Sequence, residues 1–460
     1  MPRPSPSVCP RCPGRCCGST GRPPLNLFPL KTPPEESSPQ VSTATTASSN
    51  KPGRRAALAS LRGNRPFQRL WFSNVSFFGG VWTQTLVLGW LAFETTHSEF
   101  LVAVFTAARL APMLLGPVAG AVADRHNRVR LLTIACAWAM GAVAVVAALA
   151  TVGLLPYWGL VVGGLAIGLA QSPSQPARAS LVLELVGREH LSNANALNAM
   201  ALNMTQVIGP GLGGAMVAVI GAPAALWVSA AWYGASLVLL LPLRGYGKVV
   251  HDEAQSVLAM VAGGFRSVGR NPLAVAVLLV TLAANTLLWP VYQSFMPVFA
   301  EESLGLDAAG LGALLTCCGI GGLVGSLVIA GLGDFRGKGA LFVVGTAVWA
   351  VLWALFALSH TVSLSLVLMC VIGLSSAAFG VLQTTLLLLT TDPAVHGRAL
   401  GLQELAIGIM PVATLVLGLI AERIGVARTT FGAGLVLVAV LGLVALRVPA
   451  LLKFSGRSPV

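Results

Sequence analysis

Gly120-Ala121-Val122-Ala123-Asp124-Arg125-His126-Asn127-Arg128-Val129-Arg130 is a short, densely charged turn between two long apolar runs. Before it, residues 100–123 carry one charge, Arg109, in 24 positions; after it, residues 131–153 carry none. A helix rises about 1.5 Å per residue, so each run is long enough to cross the roughly 30 Å hydrocarbon core of a bilayer. An Asp and three Arg therefore sit where two membrane helices turn around in water. The rest of the chain repeats this pattern.

Composition agrees. The 460 residues are 55% hydrophobic and 10% charged, with a mean hydropathy of +0.79, whereas a soluble domain carries about 25% charged residues. The chain reads as an all-α membrane protein. Its excess of 29 Lys and Arg over 16 Asp and Glu would suggest nucleic acid in a soluble protein. Here the bases fall in alternate loops between apolar runs, the charge bias of membrane topology, so nucleic acid is excluded as a partner and the lipid bilayer is the expected one.

Residues 1–66 are rich in Pro, Ser, Thr and Arg without apolar periodicity, and are expected to form a disordered cytoplasmic tail. Cys9, Cys12, Cys16 and Cys17 lie in it at metal-like spacing, but no packed module surrounds them; an incidental cluster is favoured over a zinc knuckle. No metal site and no cofactor are expected. Twelve spans follow, near 70–93, 100–123, 131–153, 158–177, 195–219 and 223–243, then 272–297, 309–332, 339–359, 362–390, 399–421 and 427–449. They form an N-terminal six-helix unit (67–243) and a C-terminal one (272–450), joined by a cytoplasmic linker at 244–271 and ended by a tail at 451–460. With the N-terminus inside, 26 of the 29 basic residues lie on the inner side; both termini are expected in the cytoplasm of a bacterial (plasma or inner) membrane.

The halves echo each other. Asp124-Arg125-x-x-Arg128 after span two recurs as Asp334-Phe335-Arg336-Gly337-Lys338 after span eight, and Arg188-Glu189-His190 before span five is loosely matched by His396-Gly397-Arg398 before span eleven. Two similar units predict pseudo-twofold bundles with a cavity between them.

Six plus six spans with an inner-loop Gly-x-x-x-Asp-Arg-x-x-Arg resemble the major facilitator superfamily (MFS) of secondary transporters. The motif is complete at Gly120, Asp124, Arg125 and Arg128 and degenerate after span eight, where Ala330 takes the glycine place. Trp82-Thr83-Gln84 with Trp90 in span one, Pro176-Ala177-Arg178 ending span four, and Glu184 through Asn198 are similar to the bacterial efflux branch that includes enterobactin and macrolide exporters. Gly209-Pro210-Gly211-x-Gly213-Gly214 in span five resembles the antiporter motif. The resemblance covers about residues 68–450.

It implies a conformational latch at the inner face: Asp124 approaches the N-terminus of span eleven near Arg398 and Ala399, where free N–H groups favour an anion. Arg125 and Arg128 are expected to pair with Glu184 or Glu189, exposed pairs worth about 0–1 kcal/mol each; Asp334 and Arg336 are the counterpart. The alternative is a cluster that only fixes topology. Arg109 lies near mid-membrane, where a cation is costly without a cavity or partner, and Gln84 at similar depth is the expected partner. Glu404 is the acidic residue inside a span, five residues from its inner end, and reads as a proton-coupling site or as part of the inner latch. The glycines from Gly209 to Gly214 give a side-chain-poor face on which a neighbour can slide. Trp82, Trp90, Trp289 and Phe295, with Asn74, Gln171, Asn203, Asn285, Gln293 and Gln383, are candidate cavity residues for bulky amphiphiles.

No phosphate loop, metal constellation or nucleophile elbow is present, so the chain is not expected to be an enzyme. The expectation is a monomeric, proton-coupled exporter of a small drug-like or siderophore-like substrate. An uptake permease or lipid flippase of the same fold, or a membrane sensor or scaffold, are the alternatives.

Overall fold

A computed structural model describes residues 64–115, 126–247, 266, 268–332, 335–392 and 395–455, and of residues 188–193, 195 and 196 the backbone alone. Gly120, Asp124, Arg125 and Asp334 lie outside the described residues, as do the four tail cysteines, the side chain of Glu189 and most of the linker. Inner and outer below denote the sides expected from loop charge.

The described residues are helical throughout their long elements. The first helix, α1 (Arg65–Thr96), is capped by Asn64, whose side chain accepts from the Phe67 N–H, and stops at His97 in the left-handed region (φ 46°). Ser98 then caps α2 (Glu99–Leu110) by accepting from the Leu101 N–H. A 3₁₀ turn, Ala111–Leu115, carries the chain on past Pro112; this is as far as the expected second span is described. Next come α3 (Arg128–Thr151), capped by Asn127, and α4 (Tyr157–Gln171).

The helix α5 (Ser174–Leu240) runs 67 residues, with non-helical backbone at Gly187 (φ 70°) and Gly221 (φ 81°). A positive φ is cheap only for glycine, so Gly221 divides the two expected spans 195–219 and 223–243 without ending the hydrogen-bonded run. The expected fourth span is shorter than read from the sequence, because the helix ends at Gln171 and a new one starts at Ser174.

In the second half, α6 (Pro272–Leu287) passes into a π-helical stretch at Val291–Phe295, a single turn α7 (Met296–Val298) and a second π-helical stretch to Ser303. Pro290 and Pro297 cannot donate to an α-helical ladder, and the wider turns absorb the missing bonds. The element thus outruns its expected end at 297. Then follow α8 (Ala308–Leu332), α9 (Lys338–Ala357), α10 (Val362–Thr390), α11 (His396–Gly408), α12 (Met410–Ile424), α13 (Val426–Arg447) and α14 (Pro449–Lys453). The expected eleventh span is thereby broken before Pro411.

Among the described residues nine stretches are long and apolar enough to cross a membrane, one of them, Leu197–Leu243, covering two expected spans. Large apolar side chains such as Trp158, Val162, Leu327, Val367 and Leu446 point outward, exposed, as lipid-facing helices require. Inside, the first half packs Phe77 against Tyr233 (ring centroids 5.3 Å apart) and the second stacks Trp349 on Phe379 (5.6 Å). Trp289, expected in a cavity, instead meets Trp349 edge-on at 6.0 Å, and Phe295 is fully buried.

Candidate functional site

The two sequence halves meet around α5 and α8. At Gly209 an added Cβ would fall 2.5 Å from the Trp82 Cβ on α1; at Gly214 it would fall 2.3 Å from the Ala308 carbonyl oxygen and 3.0 Å from the Gly312 Cα on α8. The glycine-rich stretch is therefore squeezed on two sides, with Thr83 donating to the Gly209 carbonyl (3.3 Å) and Thr316 donating to that of Val207 (3.2 Å). Pro210 presents its carbonyl to Gly312, and Gly213 lies against the Thr83 backbone. These contacts run along the outer half of both helices.

Arg109 sits beside this junction in the last turn of α2, 4% exposed. Its Nη1 donates to Thr85 Oγ1 (3.2 Å) on α1, and its Nη2 donates to Gln293 Oε1 (3.4 Å) in the first π-helical stretch. The Thr85 hydroxyl in turn donates to the Val81 carbonyl (2.7 Å). From behind, Gly168 of α4 presses on the Arg109 carbonyl so closely that a Cβ there would lie 2.0 Å from the oxygen. The guanidinium therefore links both halves through two neutral acceptors.

Gln84 is not the partner of Arg109. Neighbouring residues on a helix point about 100° apart, so the next side chain, Thr85, faces the guanidinium while Gln84 is fully buried, its amide atoms without a hydrogen bond among the described residues. Thr85 and Gln293 also line a cleft shared by the halves, with Trp82, Pro210, Tyr292 and Leu311. Trp82 and Gln293 thus stand where a cavity was expected; Asn285 does not, since it is buried and donates to the Thr281 carbonyl (2.8 Å).

At the outer rim Glu422, near the end of α12, accepts from Ser98 Oγ and from the Phe100 N–H, both at 3.0 Å, at the start of α2. His97 lies 3.9 Å from Glu301 across the same rim. Burial, then the nearby Glu302 and Glu422, raise the Glu99 carboxyl above its ordinary value of 4.5. The two Glu422 bonds tie the outer ends of α12 and α2, inside a rim where Glu99, Glu301, Glu302 and Glu422 lie close together.

At the inner face Arg128 Nη1 lies 3.5 Å from Glu184, whose other oxygen accepts from the Gly247 N–H (2.8 Å), while Asn127 donates to the Tyr246 carbonyl (3.1 Å). The turn after span two is thus tied to the end of the first half. Arg336 and Arg398 are exposed and make no ion pair among the described residues. Glu404 is exposed on α11 and does not meet Arg109; its neighbour Gln403 is buried and donates to Thr384 (2.7 Å). No group of three metal-ligating side chains occurs among the described residues.

The family model for transmembrane secretion effectors matches residues 55–455. The chain belongs to this family. It is a branch of the major facilitator superfamily, and the protein is a multi-pass membrane transporter, not an enzyme. It is 26% identical over 372 residues to the multidrug efflux pump Tap of Mycolicibacterium fortuitum, covering 79% of this chain and 90% of that one. It is 22% identical to the staphyloferrin A transporter of Staphylococcus aureus (78% and 90%) and 28% identical to the enterobactin exporter EntS of Shigella boydii (67% and 73%). A peptide-bound POT family transporter superposes with a TM-score of 0.70 at 12% identity, covering 85% of this chain and 97% of that one. An inward-facing bacterial homologue of the lysosomal transporter Spinster gives 0.65 at 13% identity (86% and 98%); these two likenesses concern the fold.

A second buried polar centre forms around Arg178, which the sequence offers only as the end of the Pro176-Ala177-Arg178 signature. Arg178, 1% exposed, donates to Ser73 Oγ (3.3 Å), Asn74 Oδ1, Cys136 Sγ (3.5 Å) and Ser236 Oγ (3.4 Å), and its guanidinium lies 4.4 Å from the Phe77 ring centroid. Asn74 in turn donates to Asn198 (2.5 Å). Expected just past the inner end of span four, Arg178 instead cross-braces α1, α3 and α5. The polar residues recurring on otherwise apolar helices (Ser73, Asn74, Ser236) were the available signal.

Proposed function

We propose that this secretion effector is an alternating-access exporter of a bacterial plasma membrane, built as twelve spans in two six-helix bundles with both termini cytoplasmic. It acts as a monomer and exchanges protons for a small hydrophobic or amphiphilic molecule. The observation that carries the reading is the junction itself: halves packed glycine to glycine along their outer segments, with a buried Arg109 reaching from one half to Gln293 of the other. Such an arrangement has a dry, closed outer end and a polar centre, as a transporter caught with its outer gate shut requires. Two of the relatives, an efflux pump and an exporter, support outward direction.

In this reading Gly120, Asp124, Arg125 and Arg128, with Asp334, Arg336 and Arg398, form the inner latch that closes when the outer gate opens, and Glu404 carries the proton. Exposed pairs of about 0–1 kcal/mol suit a switch between near-balanced states. The test is accumulation of a compound panel in cells with and without the protein, with and without a protonophore. Lower accumulation that the protonophore abolishes is expected. Accumulation raised by the protein would reverse the direction, and no difference for any compound would refute transport of this class.

A further inference from the structure

We infer that Arg109 is the docking point for an anionic group on the transported molecule, so that the chain carries planar apolar acids in preference to amines. The inference rests on the transporter reading and adds the substrate class.

The argument starts from charge. Taking a guanidinium out of water costs several kcal/mol unless an anion or a full set of acceptors compensates it; Arg178 has four acceptors and the Phe77 ring, Arg109 has two acceptors. Arg109 is 4% exposed and its two acceptors, Thr85 and Gln293, are neutral. Of the acidic residues whose side chains are described, Glu404 alone lies away from the helix ends and rims, and it makes no ion pair. The cation is therefore held by dipoles, without a counter-ion of its own among the described residues.

Geometry makes the missing charge reachable. Both acceptors line the cleft between the halves, beside Trp82 and Tyr292. The Gln293 bond is long at 3.4 Å, the weak end of the hydrogen-bond range. A carboxylate entering the cleft can take that position, receive a charge-assisted bond from Nη2 and supply the compensating charge. The cleft as it stands has a volume of about 20 Å³, room for one water, so the flanking indole and phenol offer flat apolar surface for the rest of the molecule only once the halves part. An ammonium group in the same place meets like charge in a low-dielectric setting and is repelled.

The test uses the purified full-length chain in lipid nanodiscs, titrated with three molecules of one shape: 2-naphthoate, 2-naphthamide and 2-naphthylmethylamine. The naphthoate is expected to bind about tenfold more tightly than the amide, the amine most weakly. Arg109→Gln should lower naphthoate affinity about tenfold and remove its advantage over the amide, and Arg109→Lys should keep part of it. Should Arg109→Gln fail to elute as a monodisperse protein, Gln293→Glu tests the same point: an internal carboxylate beside Arg109 should abolish the preference for the acid. Binding of the amide or amine as tightly as the acid, no binding of the acid, or a preference that survives in the variant examined would overturn the inference. Efflux confined to neutral or cationic compounds would also sink it and leave transport standing. No protein-dependent accumulation of any compound would instead sink the transporter reading, whatever naphthoate does.

Discussion

Gly214 and Gly312 touch backbone to backbone: a Cβ on Gly214 would lie 3.0 Å from the Gly312 Cα, and one on Gly312 would lie 3.2 Å from the Gly214 Cα. In the proposed alternating-access cycle, the outer closure of the two halves depends on two missing side chains, one in each half. Gly214→Leu forces α5 and α8 apart, since overpacking of a tight contact costs about 1–3 kcal/mol, and near-balanced states shift by a comparable amount. The expected outcome is an outward-open bias. In a background lacking native cysteines, Leu311→Cys, 1% exposed in the closed arrangement, should react with an outside-added maleimide several-fold faster when Gly214→Leu is present. Equal rates would mean that the closure does not depend on this contact.

Much of this architecture was legible in the residues. Apolar run lengths announced an all-helical membrane chain, and Gly209 to Gly214 announced close packing, though not that it is squeezed on two sides by Trp82 and Ala308. The partner of Arg109 was misread by one residue, because depth along a helix does not specify rotation: Gln84 and Thr85 share a depth and point about 100° apart. Glu422 and Ser98 lie 324 positions apart, so their contact follows from tertiary packing alone. Arg178 lies one residue past the expected end of span four at 177, and that boundary falls inside a continuing helix, so its burial does not follow from run length.

The outer rim should respond to pH. Closure places Glu99 where burial, and then Glu302 and Glu422, raise its carboxyl above 4.5; Glu301, Glu302, Glu422 and His97 are the charged groups around it. The closed arrangement therefore holds the Glu99 proton more tightly than the open one. Its contribution to closure is fully present below about pH 4.5 and is lost as pH rises through the raised value. Spin labels at the exposed positions Thr95→Cys and Arg423→Cys should report longer distances as pH goes from 4.5 to 8. Glu99→Gln should flatten that response in the closed direction. A pH-independent distance in the parent protein would remove the proton from this gate.

Glu404 separates coupling from gating. It is exposed on α11, away from Arg109 and from the outer rim, so its neutralisation should leave closure untouched. If it carries the coupling proton, Glu404→Gln flattens the pH dependence of efflux and leaves the Thr95 to Arg423 distance response intact. Efflux that keeps its pH dependence in Glu404→Gln would assign coupling elsewhere.

Arg178 should matter for assembly rather than for substrate choice. Its four acceptors, Ser73, Asn74, Cys136 and Ser236, come from three helices, and three of them, Ser73, Asn74 and Ser236, are themselves buried polar groups on α1 and α5. Removing the cation leaves these groups short of partners in an apolar interior, each costing about 1–3 kcal/mol when unsatisfied, and also removes the contact with Phe77. Arg178→Ala is expected to destabilise the fold by about 3 kcal/mol or more, seen as a lowered melting midpoint and poor recovery as monodisperse protein. Arg178→Lys retains the charge but not the planar fork that reaches several acceptors at once, so it should rescue only partly. Arg178→Met, of similar length and apolar, distinguishes packing from polar bracing: near-parental stability in that variant would show that the guanidinium contributes its bulk rather than its hydrogen bonds. In each variant that folds, the ratio of naphthoate to naphthamide affinity should equal that of the parent, because Arg178 makes its bonds to Ser73, Asn74, Cys136 and Ser236 and does not line the cleft beside Arg109.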